Sequence, residues 1–144
     1  MLQIVDLCRE DLDQVSKIEA ECFSMPWSRK SLEEVLDNPR AFYVTAKEEG
    51  NIVGYCGAYV ILDEGDINQV AVVPAYRGQG VGRRMMQVLL KRLKQAGARA
   101  VTLEVRVSNE PAIALYEALG FQTEGIRKCF YEKPVEDALI MWKR

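Results

Sequence analysis

The chain has 144 residues, of which 49% are hydrophobic and 28% charged, and its formal net charge is −2. These proportions are typical of a globular protein with a real hydrophobic core, and no apolar run approaches the roughly 20 residues of a membrane span. We expect one domain over residues 1–144. The first residues do not show the basic segment followed by an apolar stretch that is typical of a secretory signal. We therefore also expect a cytoplasmic protein that does not bind membranes.

The composition excludes several kinds of chemistry. The chain contains no histidine, which removes Ser-His-Asp and Cys-His catalysis together with histidine metal ligands. The four cysteines are scattered without a C-x-x-C pair, which argues against a zinc site or a redox dithiol. We therefore expect no metal, and any proton transfer must use Glu, Asp, Tyr, Cys or Lys.

The first half of the chain predicts strands and two short helices. Apolar residues at helical spacing favour one helix before the Ser24-Met25-Pro26-Trp27 break, and Ser28 is suited to cap the next. A polar turn at 48–51 between β-rich segments predicts a hairpin. In chain order the predicted elements are a strand at 2–5, a helix at 10–22, a helix after Ser28, strands at 41–47 and 52–62, and a strand at 67–73.

The second half alternates helices and strands. A long amphipathic pattern predicts a helix over 81–96 that Gly97 ends, and strict alternation predicts a strand over 101–107. Asn109 is a plausible N-cap for a helix that ends near Gly120, and strands near 121–124 and 137–142 follow. Together these elements predict an α/β sheet.

A glycine-rich segment, Arg77-Gly78-Gln79-Gly80-Val81-Gly82, joins a predicted strand to the long helix. Such a loop can direct several backbone N–H groups toward one phosphate or pyrophosphate, and the helix N-terminus adds its positive dipole. A plain strand-to-helix turn is the alternative. The spacing fits neither a P-loop, which needs Gly-Lys, nor a dinucleotide fingerprint, whose third glycine would fall on Arg83.

Charge is distributed unevenly around this loop. Residues 75–103 contain seven basic residues and no acid, whereas the remainder contains 12 basic and 21 acidic residues. A polyanionic small molecule explains this better than nucleic acid, which normally requires a far more basic protein than one of pI about 5.3. A solvated helix face accounts for some of the seven, which are Arg77, Arg83, Arg84, Lys91, Arg92, Lys94 and Arg99.

Two segments resemble the hallmarks of one family. Residues 70–82 are similar to the acyl-CoA-binding segment of the GCN5-related N-acetyltransferases (GNATs), and residues 108–121 resemble that family's other motif. The resemblance implies a single-domain GNAT fold with a central mixed, mostly antiparallel twisted sheet flanked by about four helices. It also implies acetyl-CoA as co-substrate.

A narrower resemblance is carried by Leu103–Arg106, by Pro26-Trp27-Ser28, and by Arg127–Tyr131 followed by Glu136–Ala138. These segments resemble the RimI type, whose members acetylate the α-amino group of ribosomal and other protein N-termini. One departure is Phe130, which stands where close relatives often have Tyr. The resemblance implies that the acetyl acceptor is the N-terminus of a protein and that the chain does not bind nucleic acid directly.

The family resemblance assigns the acetyl-CoA contacts. The backbone of Val70 to Val72 would pair with pantetheine, and an N–H near Val72 could hold the developing oxyanion. Asn109 would reach the pantetheine, although the N-cap role is at least as well supported by the sequence. The complete implied cofactor-binding set is Val70, Ala71, Val72, Arg77, Gly78, Gln79, Gly80, Val81, Gly82, Arg83 and Asn109.

The resemblance also assigns the proton transfers. Glu104 would be the general base, acting directly or through water, although without the family resemblance a solvated polar position is the favoured interpretation. Tyr116 would protonate the departing thiolate, with a core aromatic as the alternative. Residues bordering the peptide entrance would be Met25, Pro26, Trp27 and Tyr131, and Trp27 is on general grounds more often a core residue.

A single carboxylate base can deprotonate an α-amine substrate more easily than a lysine side chain. At pH 7 deprotonation costs roughly 1 kcal/mol for an α-amine and about 4–5 kcal/mol for lysine. The alternatives within the family are an enzyme that acetylates internal lysine or a small amine. From another class, a non-catalytic acyl-CoA-binding module would keep the fold without the chemistry.

Overall fold

The computed structural model describes all 144 residues and contains one seven-stranded mixed sheet. The strand order is β1-β2-β3-β4-β5-β7-β6, and only β4 and β5 are parallel neighbours. The expected mixed, mostly antiparallel sheet is therefore confirmed. The strands are β1 Leu2–Asp6, β2 Ala41–Glu48, β3 Asn51–Ile61, β4 Glu64–Val72, β5 Ala100–Arg106, β6 Gln122–Tyr131 and β7 Glu136–Lys143.

Four α-helices cover the two faces of the sheet, as the sequence predicts. They are α1 Leu12–Cys22, α2 Arg29–Asp37, α3 Val81–Gln95 and α4 Glu110–Ala118. The predicted cap of α2 is present, since the Ser28 hydroxyl accepts the Ser31 N–H at 3.1 Å. No helix has the length and the apolar character needed to cross a bilayer.

The two faces of the sheet carry separate hydrophobic clusters. On one face, α3 and α4 pack through residues such as Met86, Leu89 and Tyr116. On the other face, α1 and α2 pack through Leu12 and Leu32 against the tyrosines of β2 and β3. The sheet is thus enclosed on both sides, and each face presents a different set of side chains to any opening between the strands.

Such an opening lies between β4 and β5. The two strands pair only from Glu64–Ile67 to Ala100–Leu103, although β4 continues to Val72 and β5 to Arg106. A β-bulge places Asn68 as an extra residue on β4 opposite β3 just where the parallel pairing ends. Because a bulge bends its strand and disrupts the ladder locally, β4 separates from β5 beyond this point.

The structure differs from the predicted elements mainly at β6. The prediction ended this strand near residue 124, but β6 extends to Tyr131 and pairs with β7 through two irregularities. Most β6 residues are exposed because it is an edge strand, so its sequence shows no alternation. Strand β4 also starts at Glu64 rather than residue 67, and a short 3-10 turn, Arg9–Asp11, precedes α1.

Candidate functional site

The opening between β4 and β5 leads into a cleft of about 840 Å³. Its walls come from the α1–α2 connection, β4, β5, the start of α4 and the end of β6. Seven of the predicted site residues line this cleft, namely Met25, Trp27, Val70, Glu104, Asn109, Tyr116 and Tyr131. Pro26, Ala71 and Val72 do not line it, and Ala71 packs instead among the residues of the α1–α2 face.

Glu104 lies on β5 between two buried residues, Leu103 and Val105, that face α3 and α4. Its own side chain therefore projects from the opposite face, where it is 22% exposed. Burial raises the pKa of Glu104, the nearby Asp66 carboxylate raises it further, and Arg127 opposes the rise. The Arg127 guanidinium is 3.5 Å from a Glu104 oxygen and is itself more than half exposed. A carboxylate so placed can accept a proton inside the cleft.

Tyr116 enters the same cleft from α4. The ring packs against Phe121 at a centroid distance of 6.0 Å, and Tyr116 is buried. Burial raises the pKa of the Tyr116 phenol well above its usual value. The phenol thus stays protonated at neutral pH, as a proton donor must.

The glycine-rich loop has the backbone that an anion site needs. Gly78 and Gly80 have φ of 76° and 82°, and Gly80 is the N-cap of α3 without any side-chain cap. No backbone or side-chain acceptor within the protein takes the N–H groups of residues 78–83. Free donors in this loop and in the first turn of the 15-residue helix fit a pyrophosphate.

Two side chains of the loop itself hold it in place. The Arg77 guanidinium folds back so that its Nε donates to the Val72 carbonyl at 2.9 Å, and Gln79 donates to the Ala75 carbonyl at 3.0 Å. At Gly82 a Cβ would meet Leu115 of α4 at 3.3 Å. The loop is thereby tied to the end of β4 and packed against α4.

Asn109 is the N-cap of α4 and also lines the cleft. Its side-chain oxygen accepts the Ala112 N–H at 3.3 Å, which makes it the N-cap of α4. It also lines the cleft beside Tyr116. The cap is therefore observed, and the contact with pantetheine stays a prediction.

Aromatic and cationic side chains form the outer wall of the cleft. The Arg106 guanidinium lies 4.5 Å from the centre of the Tyr131 ring. Burial and the Glu104 carboxylate raise the pKa of Tyr131 to about 12. Phe130 packs edge-on against Tyr131 and is 43% exposed. Trp27 packs against Tyr43 at 6.3 Å, so it is both a cluster residue and a cleft residue.

Several polar residues at this site were not among the predicted site residues. Asp66 and Gln69 lie on β4, and Arg127 lies on β6, all on the cleft lining. Glu19 lies beneath them on α1 and is completely buried. A signal for Glu19 did exist, because Val15, Ile18, Glu19 and Cys22 follow the i, i+3, i+4, i+7 spacing of one helix face. The bulge that brings Asp66 and Gln69 to the same face has no such signal.

No three histidine, cysteine, aspartate or glutamate residues come together in a way that could hold a metal ion. The four cysteines are all free thiols.

The family profile described as Acetyltransferase (GNAT) family matches residues 12–121. The chain belongs to the GNAT family. An Escherichia coli ribosomal protein bS18-alanine N-acetyltransferase is 36% identical over 143 residues, covering 98% of this chain and 96% of that protein. A Bacillus subtilis relative that carries the same designation provisionally is 44% identical over 134 residues, with coverage of 92% and 89%.

Solved structures agree with the sequence relatives. The crystal structure of the ribosomal-protein-S18-alanine N-acetyltransferase from Escherichia coli superposes with a TM-score of 0.91 at 35% identity. It covers 99% of this chain and 93% of its own. These findings confirm the expected GNAT fold and acetyl-CoA as the co-substrate of an acetyltransferase.

We expect Gly80→Ala to weaken acetyl-CoA binding by about tenfold. With φ at 82° an added Cβ costs about 1–2 kcal/mol in backbone strain, and relief of that strain would turn the free N–H groups away from a phosphate. Gly97→Ala is the matched control, since Gly97 also has positive φ and open space around it but follows the far end of α3. Calorimetry on both variants checks this, and equal affinities would contradict the loop's role.

We expect two substitutions to move the pKa of Glu104 in opposite directions. Asp66→Asn removes a neighbouring negative charge and lowers the pKa, whereas Arg127→Gln removes the opposing cation and raises it. In Arg127→Gln the carboxylate form is consequently lost at a higher pH than in the wild type. NMR titration of the ¹³C-labelled glutamate carboxyl measures both shifts.

Lys128→Gln is the control for this titration, because Lys128 is an exposed cation on the same strand that pairs with Asp137 instead. A Glu104 pKa that responded equally to Arg127→Gln and Lys128→Gln would refute the local pairing.

Proposed function

We propose that this protein transfers the acetyl group of acetyl-CoA to the α-amino group of a protein N-terminus, and that its substrate is a ribosomal protein beginning with alanine. The reaction named for the relatives of 36% and 44% identity supports this choice. The arrangement that carries the proposal is the convergence of Glu104 from β5 and Tyr116 from α4 on one cleft. In the proposed reaction Glu104 is the base and Tyr116 is the acid.

Bound acetyl-CoA supplies the acetyl group as a thioester. Glu104 accepts a proton from the substrate ammonium, directly or through one water, and the freed amine forms the new C–N bond at the carbonyl carbon. Tyr116 gives its proton to the sulfur as the C–S bond breaks. The second proton of the amine leaves as the amide forms and restores the phenol of Tyr116, directly or through water. Glu104 releases its proton to solvent, so the net reaction converts an ammonium and a thioester into an amide, a thiol and one proton.

The electrostatics of the cleft suit a cationic amine, and the cost of deprotonation favours an α-amine. Asp66 and Glu104 place two carboxylates where a substrate ammonium must approach, and Arg127 is exposed enough to be displaced by it. Removing a proton from an α-amine at pH 7 costs only about 1 kcal/mol, against roughly 4–5 kcal/mol for lysine. Because the pKa of Glu104 is raised, the difference in pKa that remains between base and amine is smaller for an α-amine than for lysine.

The cellular setting follows from the proposed substrate. Ribosomal proteins are made and assembled in the cytoplasm, and the four free thiols suit a reducing compartment. We therefore propose a cytoplasmic enzyme whose partners are acetyl-CoA and a protein N-terminus, acting as one domain over residues 1–144.

The expected product is an α-acetylated peptide. A basic peptide that begins with Ala and contains one internal Lys is incubated with acetyl-CoA and the enzyme, and fragment mass spectrometry locates the acetyl group. We expect one acetyl group on the terminal amine and none on lysine, because the α-amine loses its proton more easily. Acetylation of lysine alone would refute the proposed substrate while leaving the acetyltransferase activity in place.

Glu104→Gln is expected to lower kcat by about 10²–10⁴-fold, the usual contribution of a positioned base, with little change in acetyl-CoA affinity. Steady-state kinetics and calorimetry measure the two quantities. Glu124→Gln is a suitable control, because Glu124 is an exposed glutamate on β6 that pairs with Arg144. Near-normal turnover of Glu104→Gln at neutral pH would remove Glu104 from the base role.

A further inference from the structure

Glu19 is a buried carboxylate that the proposed reaction does not use. It is 0% exposed, and its two oxygens accept hydrogen bonds from three donors. The Trp27 backbone N–H donates at 2.9 Å, and the Gln69 side-chain nitrogen donates to both oxygens at 2.8 and 3.0 Å. The third donor is the Tyr55 hydroxyl. Glu19 thus links the α1–α2 connection to the bulged part of β4.

These contacts determine which way the Gln69 amide faces. A carboxylate can only accept hydrogen bonds, so the Gln69 amide must turn its NH₂ group toward Glu19. Its carbonyl oxygen, Oε1, is then directed away from Glu19. That oxygen accepts no hydrogen bond within the protein, yet it is not sealed from solvent. Because Gln69 lines the cleft, a free and oriented acceptor is available there.

Gln69 and Glu104 lie on the same face of the sheet. Gln69 contacts α1, and Glu104 projects away from α3, so both lie on the side of the α1–α2 connection. They stand on the two strands that separate, β4 and β5. Both residues line the same cleft, so the N-terminus of one peptide entering it can meet both side chains.

The two acceptors differ in charge, and a peptide N-terminus has two matching donors. The ammonium is matched by the carboxylates of Glu104 and Asp66, which leaves the neutral N–H of the first peptide bond for a neutral carbonyl. We propose that Gln69 Oε1 accepts a hydrogen bond from the N–H that joins substrate residues 1 and 2, and that Glu19 is the positioning residue that orients Gln69. This inference rests on the proposed N-terminal substrate.

The test compares two substrates that differ in one atom. One is the Ala-initiated peptide, and the other is its depsipeptide, in which an ester oxygen replaces the N–H between residues 1 and 2. Each is assayed with the wild type, Gln69→Met, Glu19→Gln and Gln3→Met. Gln3 is an exposed glutamine on β1 that makes no side-chain hydrogen bond, so Gln3→Met is the matched control.

The wild type and Gln3→Met are expected to prefer the amide over the ester by roughly fivefold to tenfold in kcat/KM, the usual effect of one neutral hydrogen bond. Gln69→Met removes the acceptor, so this preference should fall to near unity, while acetyl-CoA affinity stays unchanged. Glu19→Gln can donate to a flipped Gln69 amide, so it should reduce the preference as well. A purely structural role would lower both substrates equally and leave the ratio intact.

The outcomes distinguish a failure of this inference from a failure of the proposed function. A wild-type amide preference that persists in Gln69→Met would overturn the role of Gln69, while acetylation of the ordinary peptide would still support the proposed function. If Gln69→Met fails to fold, the ratio for Glu19→Gln decides the question. Failure of the wild type to acetylate either peptide would overturn the proposed substrate and the inference together.

Discussion

The separation of β4 from β5 is the constraint on which the rest of this structure depends. Two parallel strands that are hydrogen-bonded along their whole length leave no room between them for a ligand. Here the pairing of β4 with β5 stops at Ile67 and Leu103. Backbone groups released in this way need partners from solvent or ligand, and the cleft gives them access to both. The hydrophobic clusters on both faces keep the two strands in place on either side of the gap.

The gap also divides the chemistry into two regions. The anion-binding features, which are the free N–H groups of the glycine loop and its flanking arginines, lie at the start of α3. The carboxylates lie on the other face, where burial keeps the pKa of Glu104 above its ordinary value. Because the two regions meet only at the opening, a polyanionic donor and a cationic acceptor can approach from different sides without competing for the same charges.

Glu19 shows how the peptide side is kept rigid. Burying a carboxylate is costly unless its oxygens are hydrogen-bonded, and three donors from three parts of the chain meet that requirement. The same contacts fix the backbone at Trp27 and the amide of Gln69, so the cleft wall and its floor are held by one group. A fully satisfied buried network of this kind specifies one arrangement of its members.

The local sequence determined most of the elements and the loop at the start of α3. Apolar spacing and capping residues predicted the four helices, and the cap at Ser28 followed from side-chain chemistry, as the structure confirms. The glycine-rich spacing indicated an anion-binding loop, and in the structure Gly78 and Gly80 have positive φ. Glu104 and Tyr116 could be named because family motifs surround them. Both stand on the cleft, although their catalytic roles remain proposals that kinetics must test.

Only the tertiary structure decided which residues share the cleft. Asp66, Gln69 and Glu19 are separated in sequence, and they come together because a bulge at Asn68 alters the side-chain alternation of β4 while α1 packs over it. Strand β6 was cut short in the prediction for a related reason, since an exposed edge strand has no buried face to impose a period. Periodicity reports the burial of one segment against the bulk of the fold. Bulges, strand separation and buried hydrogen-bond networks depend on contacts between segments, so no local pattern records them.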